Sequence, residues 1–204
     1  MSTPRMGPIA PALPVRTLDR ARSLEVADAL SPPEVSRAVL ERLHDRSGIE
    51  TRGVSVIESD GSIPLYGMGL PGTPATPRVP GTAERMEAYT RAAIPLGVEA
   101  AGNALRLAEL DPRRITHLVT ASCTGFSAPG VDLAIVRRLE LPPSVRRTHI
   151  GFMGCHAAVN ALATAAAYAR ESPDHRVLVV CVEVSTVHFH HDTRLDRLIS
   201  NILF

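Results

Sequence analysis

The segment Val177 to Val182 reads Val-Leu-Val-Val-Cys-Val, an apolar run without a polar residue in it. A strand with one face in water alternates apolar and polar side chains, so an unbroken run fits a strand covered on both faces. Covering both faces of a sheet takes helices above and below it. The neighbouring chain supplies candidates for both layers. Ile115 to Thr120 reads as a second apolar strand, Gly130 to Leu139 as a helix after a Gly and Pro turn, Thr148 to Ile150 as a short strand, and Ala157 to Ala169 as an Ala-rich helix. The expected class is α/β, a layered sheet with helices on either side.

The first half of the chain is less regular. Pro8 to Pro14 reads as a short strand trimmed by prolines. Val26 to His44 carries apolar positions at helical spacing, one or two helices with Pro32 and Pro33 marking a start. Pro71 to Gly81 is crowded with Pro and Gly and reads as a surface loop. Thr82 offers an N-cap for a helix through Ala93, and Val98 to Leu110 predicts another. Asp192 to Phe204 again has helical periodicity. No Gly cap and no polar tail follow it, so the chain reads as interrupted rather than finished.

Charge and composition exclude several classes. With 22 Lys and Arg against 21 Asp and Glu, and the basic residues spread along the chain, no nucleic-acid partner is expected. No segment approaches the roughly 18 unbroken apolar residues of a membrane span, and Pro11 and Pro14 break the apolar patch Ile9 to Val15, against a secretory signal. A cytoplasmic location is expected. Three cysteines, Cys123, Cys155 and Cys181, have no CxxC spacing and cannot all pair, which predicts free thiols.

Cys155 stands between a predicted strand and a predicted helix, in Gly151-Phe-Met-Gly-Cys-His-Ala-Ala158. Gly154 permits a sharp turn that places Cys155 at the first turn of the helix, where unpaired backbone N–H groups favour a thiolate. From these residues alone a catalytic cysteine and a small buried hydrophobe are both open. No Gly-x-Ser-x-Gly offers a second nucleophile. His190, His191 and Asp192 are adjacent, and adjacent side chains seldom point at one ion, so no metal is expected. Gly67-Met68-Gly69 lacks the further glycine and helix of a nucleotide loop.

Four ordered blocks resemble the type III polyketide synthases, the chalcone and stilbene synthase family, and particularly its bacterial members. They are Gly154-Cys-His-Ala-Ala-Val-Asn-Ala-Leu162, Cys123-Thr-Gly-Phe-Ser-Ala-Pro-Gly130, Arg176 to Phe189, and Leu195 to Phe204. The resemblance runs from about Pro8 to the end of the chain. It implies a thiolase-like layered fold in which residues 1–204 form the N-terminal half only, the final strand of that half and the entire C-terminal half being absent.

The resemblance also implies roles. Cys155 matches the nucleophile that takes a starter acyl group from acyl-CoA and holds it for condensation with decarboxylated malonyl-CoA. Cys123, Thr124, Ser185 and His188 match cavity-lining positions, and Phe204 matches an aromatic gatekeeper. Ala128 matches a position that reaches across the interface of a homodimer. Arg42 and Arg46 match residues that contact CoA phosphates; their i,i+4 spacing puts both on one helix face. Glu183 resembles a family acid without an assigned role. The family's catalytic His and Asn have no counterpart here, so activity of the chain alone is open, and a separate chain carrying the other half is a conceivable partner. No cofactor beyond the CoA thioesters is implied. Two alternatives are a CoA-primed ketoacyl-carrier-protein synthase and a noncatalytic fragment that pairs with a complete homologue.

Overall fold

The structure, a computed structural model, describes residues 3–70, 72–73 and 77–204. In chain order its elements are β1 Thr17–Asp19, α1 Arg20–Leu30, α2 Arg37–Ser47, β2 Thr51–Gly53, α3 Thr82–Leu107, β3 His117–Ser122, α4 Val131–Arg138, β4 Arg146–Gly151, α5 Ala157–Glu171, β5 Val177–Cys181 and α6 Leu195–Leu203, with short 3-10 turns between some of them. They divide between two compact units, Pro14–Ala88 with Ser185–Phe204, and Tyr89–Val184 with the residues up to Leu13.

In the first unit β1 and β2 pair antiparallel, Thr17 opposite Gly53 and Asp19 opposite Thr51. Gly53 is required there, because a Cβ would stand 2.8 Å from Pro14 Cδ. Asp19 caps α1, its carboxylate accepting the Arg22 N–H at 2.8 Å. Gly48, at φ 67°, ends α2 in the left-handed conformation that costs glycine little. Ala27 of α1, Leu40 of α2, and Leu198 and Ile202 of α6 share one buried cluster, flanked by Leu24, Val39, Leu43 and Phe189. Pro32 and Pro33 do not start a helix. They lie in the link between α1 and α2, where the Val35 N–H donates to the Pro32 carbonyl at 3.0 Å, and α2 begins only after Ser36.

The second unit holds a parallel sheet in the order β4-β3-β5. His117 stands opposite Arg146 on one side and Val177 on the other. The chain passes from β3 outward to β4, then back across β3 to β5. Right-handed crossovers in opposite directions place their helices on opposite faces. α5 accordingly covers the face carrying Val119 and Ala121, with Ala157 and Ala161 in contact and Val177 and Val179 at the margin. On the other face Gly97 of α3 lies against Val131 of α4 and Val180 of β5; a Cβ at 97 would come within 3.0 Å of Val131 Cγ1.

The central strand β3 is buried at every residue, whereas β4 exposes Arg146, Arg147 and His149 in part or in full. Cover on both faces therefore holds for β3 and fails for β4, an edge strand whose solvent side chains are basic. Pro8 to Pro14 forms no strand. Its three prolines donate nothing to a ladder, and Ile9 and Leu13 are exposed. The two helices expected on either side of Pro95 are one, α3, of 26 residues. Ala93, Ala101 and Leu105 are buried along it, and that burial outweighs the hydrogen bond lost at proline. Thr82 is its first residue rather than its cap; Glu84 reaches back to accept the Gly81 N–H at 2.9 Å, half of a capping box. Of the proline-rich loop, residues 71 and 74–76 lie outside the described residues, and 72–73 and 77–81 form neither helix nor strand. Among the described residues no helix is long and apolar enough to cross a membrane.

Candidate active site

In a parallel α/β sheet, chemistry gathers where strands end and helices begin. β4 ends at Gly151, and the chain reaches α5 in five residues. Two of them are left-handed, Phe152 at φ 59° and Gly154 at φ 61°. The sequence points to Gly154 only. A phenylalanine in this region carries backbone strain of order 1–3 kcal/mol, which persists only where surrounding structure enforces it. A 3-10 turn, Gly154–His156, follows, its first carbonyl accepting the Ala157 N–H, and it runs straight into α5. Cys155 sits in that turn, exposed and unpaired with another cysteine. Phe152 and Phe126 flank the region, 77% and 54% exposed, with ring centroids 6.1 Å apart. His156 is exposed on the same turn.

Cys123 and Thr124 leave the C-terminal end of β3, beside the end of β5. Glu183 binds them there. Its carboxylate accepts the Cys123 N–H at 2.9 Å, the Thr124 N–H at 2.9 Å and the Thr124 hydroxyl at 2.5 Å. The Thr124 oxygen in turn accepts the Val184 N–H at 2.8 Å. Beneath this loop Tyr89 donates to Ser122 Oγ at 2.7 Å, and the tyrosine ring lies against Gly125, where a Cβ would come within 2.2 Å. Glu183 is thus the clamp that shapes the 123–124 loop. Its substitution by Ala removes several charge-assisted bonds at an exposed position, an expected cost of about 1–2 kcal/mol, read as a lower urea midpoint with unchanged m-value. Tyr89 carries no signal in the sequence; only the fold brings it under residues 122–125.

Burial first, then the Glu183 carboxylate, raises the Cys123 thiol from 9.0 to about 11, with Cys155 a smaller contributor. Cys123 alkylation by iodoacetamide, followed by peptide mass spectrometry, is expected to rise about tenfold per pH unit from pH 8 to near 11. In Glu183→Gln, where the carboxylate charge is gone, the same rise is expected at lower pH.

The other unit holds the remaining expected residues. Ser185 donates to the Phe204 carbonyl at 2.9 Å, and the Phe204 ring is 59% exposed at the end of α6. Arg85 donates to His188 Nδ1 at 3.2 Å. Arg42 and Arg46 are both exposed on α2, one turn apart, on the side away from buried Leu40 and His44. Ala128, in the second unit, is exposed after the 123–127 loop. His190 and His191 hold chain segments in place: the His190 N–H donates to Asn201 Oδ1 at 2.8 Å, and His191 Nδ1 donates to the Leu30 carbonyl at 2.7 Å.

The layered α/β sheet, with Cys155 at its strand-to-helix turn, is of the thiolase-like class. Residues 32–204 match the family profile of chalcone and stilbene synthases, N-terminal domain, and the chain belongs to that family. It is 34% identical over 96% of its length to the alpha-pyrone synthesis polyketide synthase-like Pks18 of Mycobacterium tuberculosis, of which it covers 48%. Its structure is similar to that of PKS-I from the brown alga Ectocarpus siliculosus, with TM-score 0.81 and 32% identity over 95% of this chain and 51% of that one. It is also similar to CsyB, solved in complex with CoA-SH, with TM-score 0.73 and 27% identity over 88% of this chain and 46% of that one. The chain spans about half the length of these three relatives, and the family's members that it resembles are bacterial and eukaryotic alike.

Proposed function

We propose that this chain is the cysteine-bearing part of a type III polyketide synthase of bacterial type, which loads a starter acyl group from acyl-CoA onto Cys155. The exposed thiol in the turn entering α5 is the observation that carries the reading. The Cys155 thiolate attacks the thioester carbonyl, the carbonyl–sulfur bond to CoA breaks, and CoA leaves as its thiolate. Extension follows when malonyl-CoA loses CO2. The enolate carbon attacks the Cys155 thioester, and the thiolate departs to give a β-ketoacyl-CoA. The His and Asn that promote this step in the family have no counterpart in this chain, so condensation belongs to an assembly that includes them, a homodimer of a longer chain or a complex with a separate one.

Within this reading Arg42 and Arg46 hold the CoA phosphates, an arrangement supported by their one-turn spacing on an exposed helix face. Cys123 and Thr124 in the sheet-bearing unit, and Ser185, His188 and Phe204 in the other, match cavity-lining positions of the family, and Ala128 matches a position that faces a second subunit. Intact mass after incubation with acetyl-, hexanoyl- and long-chain acyl-CoAs tests the loading step. A hydroxylamine-labile gain equal to one acyl group, mapped to Cys155, is the expected result. No gain with any acyl-CoA, while iodoacetamide still alkylates Cys155, would overturn the claim that this chain itself is loaded.

A further inference from the structure

Far from Cys155, three groups converge at the other end of the sheet. His117 opens β3, Glu171 ends α5, and His175 lies in the turn between α5 and β5. Each offers one ligand atom, and these atoms lie within 4.8 Å of one another. His117 is 2% exposed, and its Nε2 has no hydrogen-bond partner. A buried imidazole nitrogen without a partner is costly and calls for an explanation.

The hydrogen bonds around the two rings allow both to present a lone pair on Nε2. Thr116 Oγ1 accepts the Arg176 N–H at 2.9 Å and has one proton to give, to the Arg176 carbonyl at 3.1 Å or to His117 Nδ1 at 2.9 Å. With that proton on the Arg176 carbonyl, the oxygen accepts from His117 Nδ1, which then carries the ring proton. His175 Nδ1 faces the Tyr168 carbonyl at 2.8 Å and must donate as well. In that state both rings keep a lone pair on Nε2. Two imidazoles and a carboxylate then stand close together, each offering a ligand atom within 4.8 Å of the others. A cation satisfies all three at once.

We propose that His117, His175 and Glu171 form a binding site for zinc. Two imidazole nitrogens and a carboxylate are a ligand set that zinc takes, with water completing a tetrahedron. Each histidine holds its other nitrogen in a hydrogen bond that orients the ring, as metal-ligating histidines do, and for His175 the carbonyl acceptor also fixes the tautomer. Tyr168 adds rigidity by stacking on His117, with ring centroids 4.6 Å apart. Arg146, opposite His117 in the ladder, opposes a second cation, and the Glu171 charge offsets it. β3 spans about 17 Å over its length, and Cys155 follows the end of β4 that pairs with the far end of β3. The site therefore has no part in thioester chemistry. Zinc there ties the start of β3 to the end of α5 and to the turn leading into β5.

The test uses the full chain stripped of metal with a chelator, then titrated with Co2+ as a spectroscopic probe and with Zn2+ in competition. One Co2+ per chain is expected, with visible bands of tetrahedral intensity, no intense near-ultraviolet thiolate-to-cobalt band, and displacement by Zn2+. His175→Gln and Glu171→Gln, at positions outside the buried core, are expected to weaken binding about tenfold or more with unchanged far-ultraviolet circular dichroism. Cys155→Ala is expected to keep the bands. Absence of Co2+ binding, a thiolate band, or full affinity in both the His175 and the Glu171 variants would overturn the proposal.

Discussion

Gly125→Ala is expected to unfold the sheet-bearing unit at a markedly lower temperature than the parent chain. A Cβ at 125 would stand 2.2 Å from Cγ and 2.4 Å from both Cδ atoms of Tyr89, distances at which something must move. The ring has little freedom to do so. Tyr89 is 2% exposed, and its hydroxyl is held by Ser122 at 2.7 Å. Moving the loop instead would pull Cys123 and Thr124 off the Glu183 carboxylate. Overpacking of a tight site costs about 1–3 kcal/mol and occasionally more, and here both ways of relaxing break hydrogen bonds. A loss of about 3 kcal/mol corresponds to a fall of roughly 6–12 °C for a chain of this size. Thermal denaturation followed by circular dichroism measures it. Placing Gly125→Ala in a Tyr89→Ala background separates the cause: the alanine methyl should then cost little more than Tyr89→Ala alone, whereas additive costs would count against a clash with the ring.

Cys155→Ala should abolish acyl transfer to the chain altogether, because the residual thiols are poor substitutes. Cys123, with its pKa raised to about 11, holds only about a thousandth of its population as thiolate at pH 8, and the thiolate is the nucleophile. Cys155→Ser keeps the volume and the turn but replaces sulfur by a hydroxyl that needs an adjacent base to react. It is expected to be unlabelled as well. Both variants should retain the melting temperature of the parent, since Cys155 is exposed and carries no packing load. Acylation of either variant at the level of the parent chain would place the nucleophile elsewhere.

The 123–127 loop couples packing to the protonation of Cys123. Gly125 lets the 123–127 segment lie flat on Tyr89, and Glu183 fixes its first two amides from the neighbouring strand. Burial and the same carboxylate keep the Cys123 thiol protonated.

Local patterns in the sequence carried the layered α/β class, the strand-to-helix turn at Cys155, the helical spacing of Arg42 and Arg46, and the family blocks. These were legible because each depends on residues within a few positions of one another: an apolar run, a glycine before a cysteine, a four-residue repeat. Other features depend on partners far along the chain. The continuity of α3 through Pro95 depends on α4 and β5, against which Gly97 packs. The central place of β3, flanked on both sides and buried at every residue, depends on the sheet order, which no single strand encodes. Phe152 is left-handed because a five-residue connection must reverse direction, and its own side chain gives no sign of it. The role of Glu183 required the end of β5 to lie beside the end of β3, 60 residues earlier. The convergence of His117, Glu171 and His175 is likewise the work of a parallel crossover that returns α5 to the start of β3. Short-range chemistry is written in the order of residues, while the pairing of distant ones is decided only when the sheet closes and buries them together.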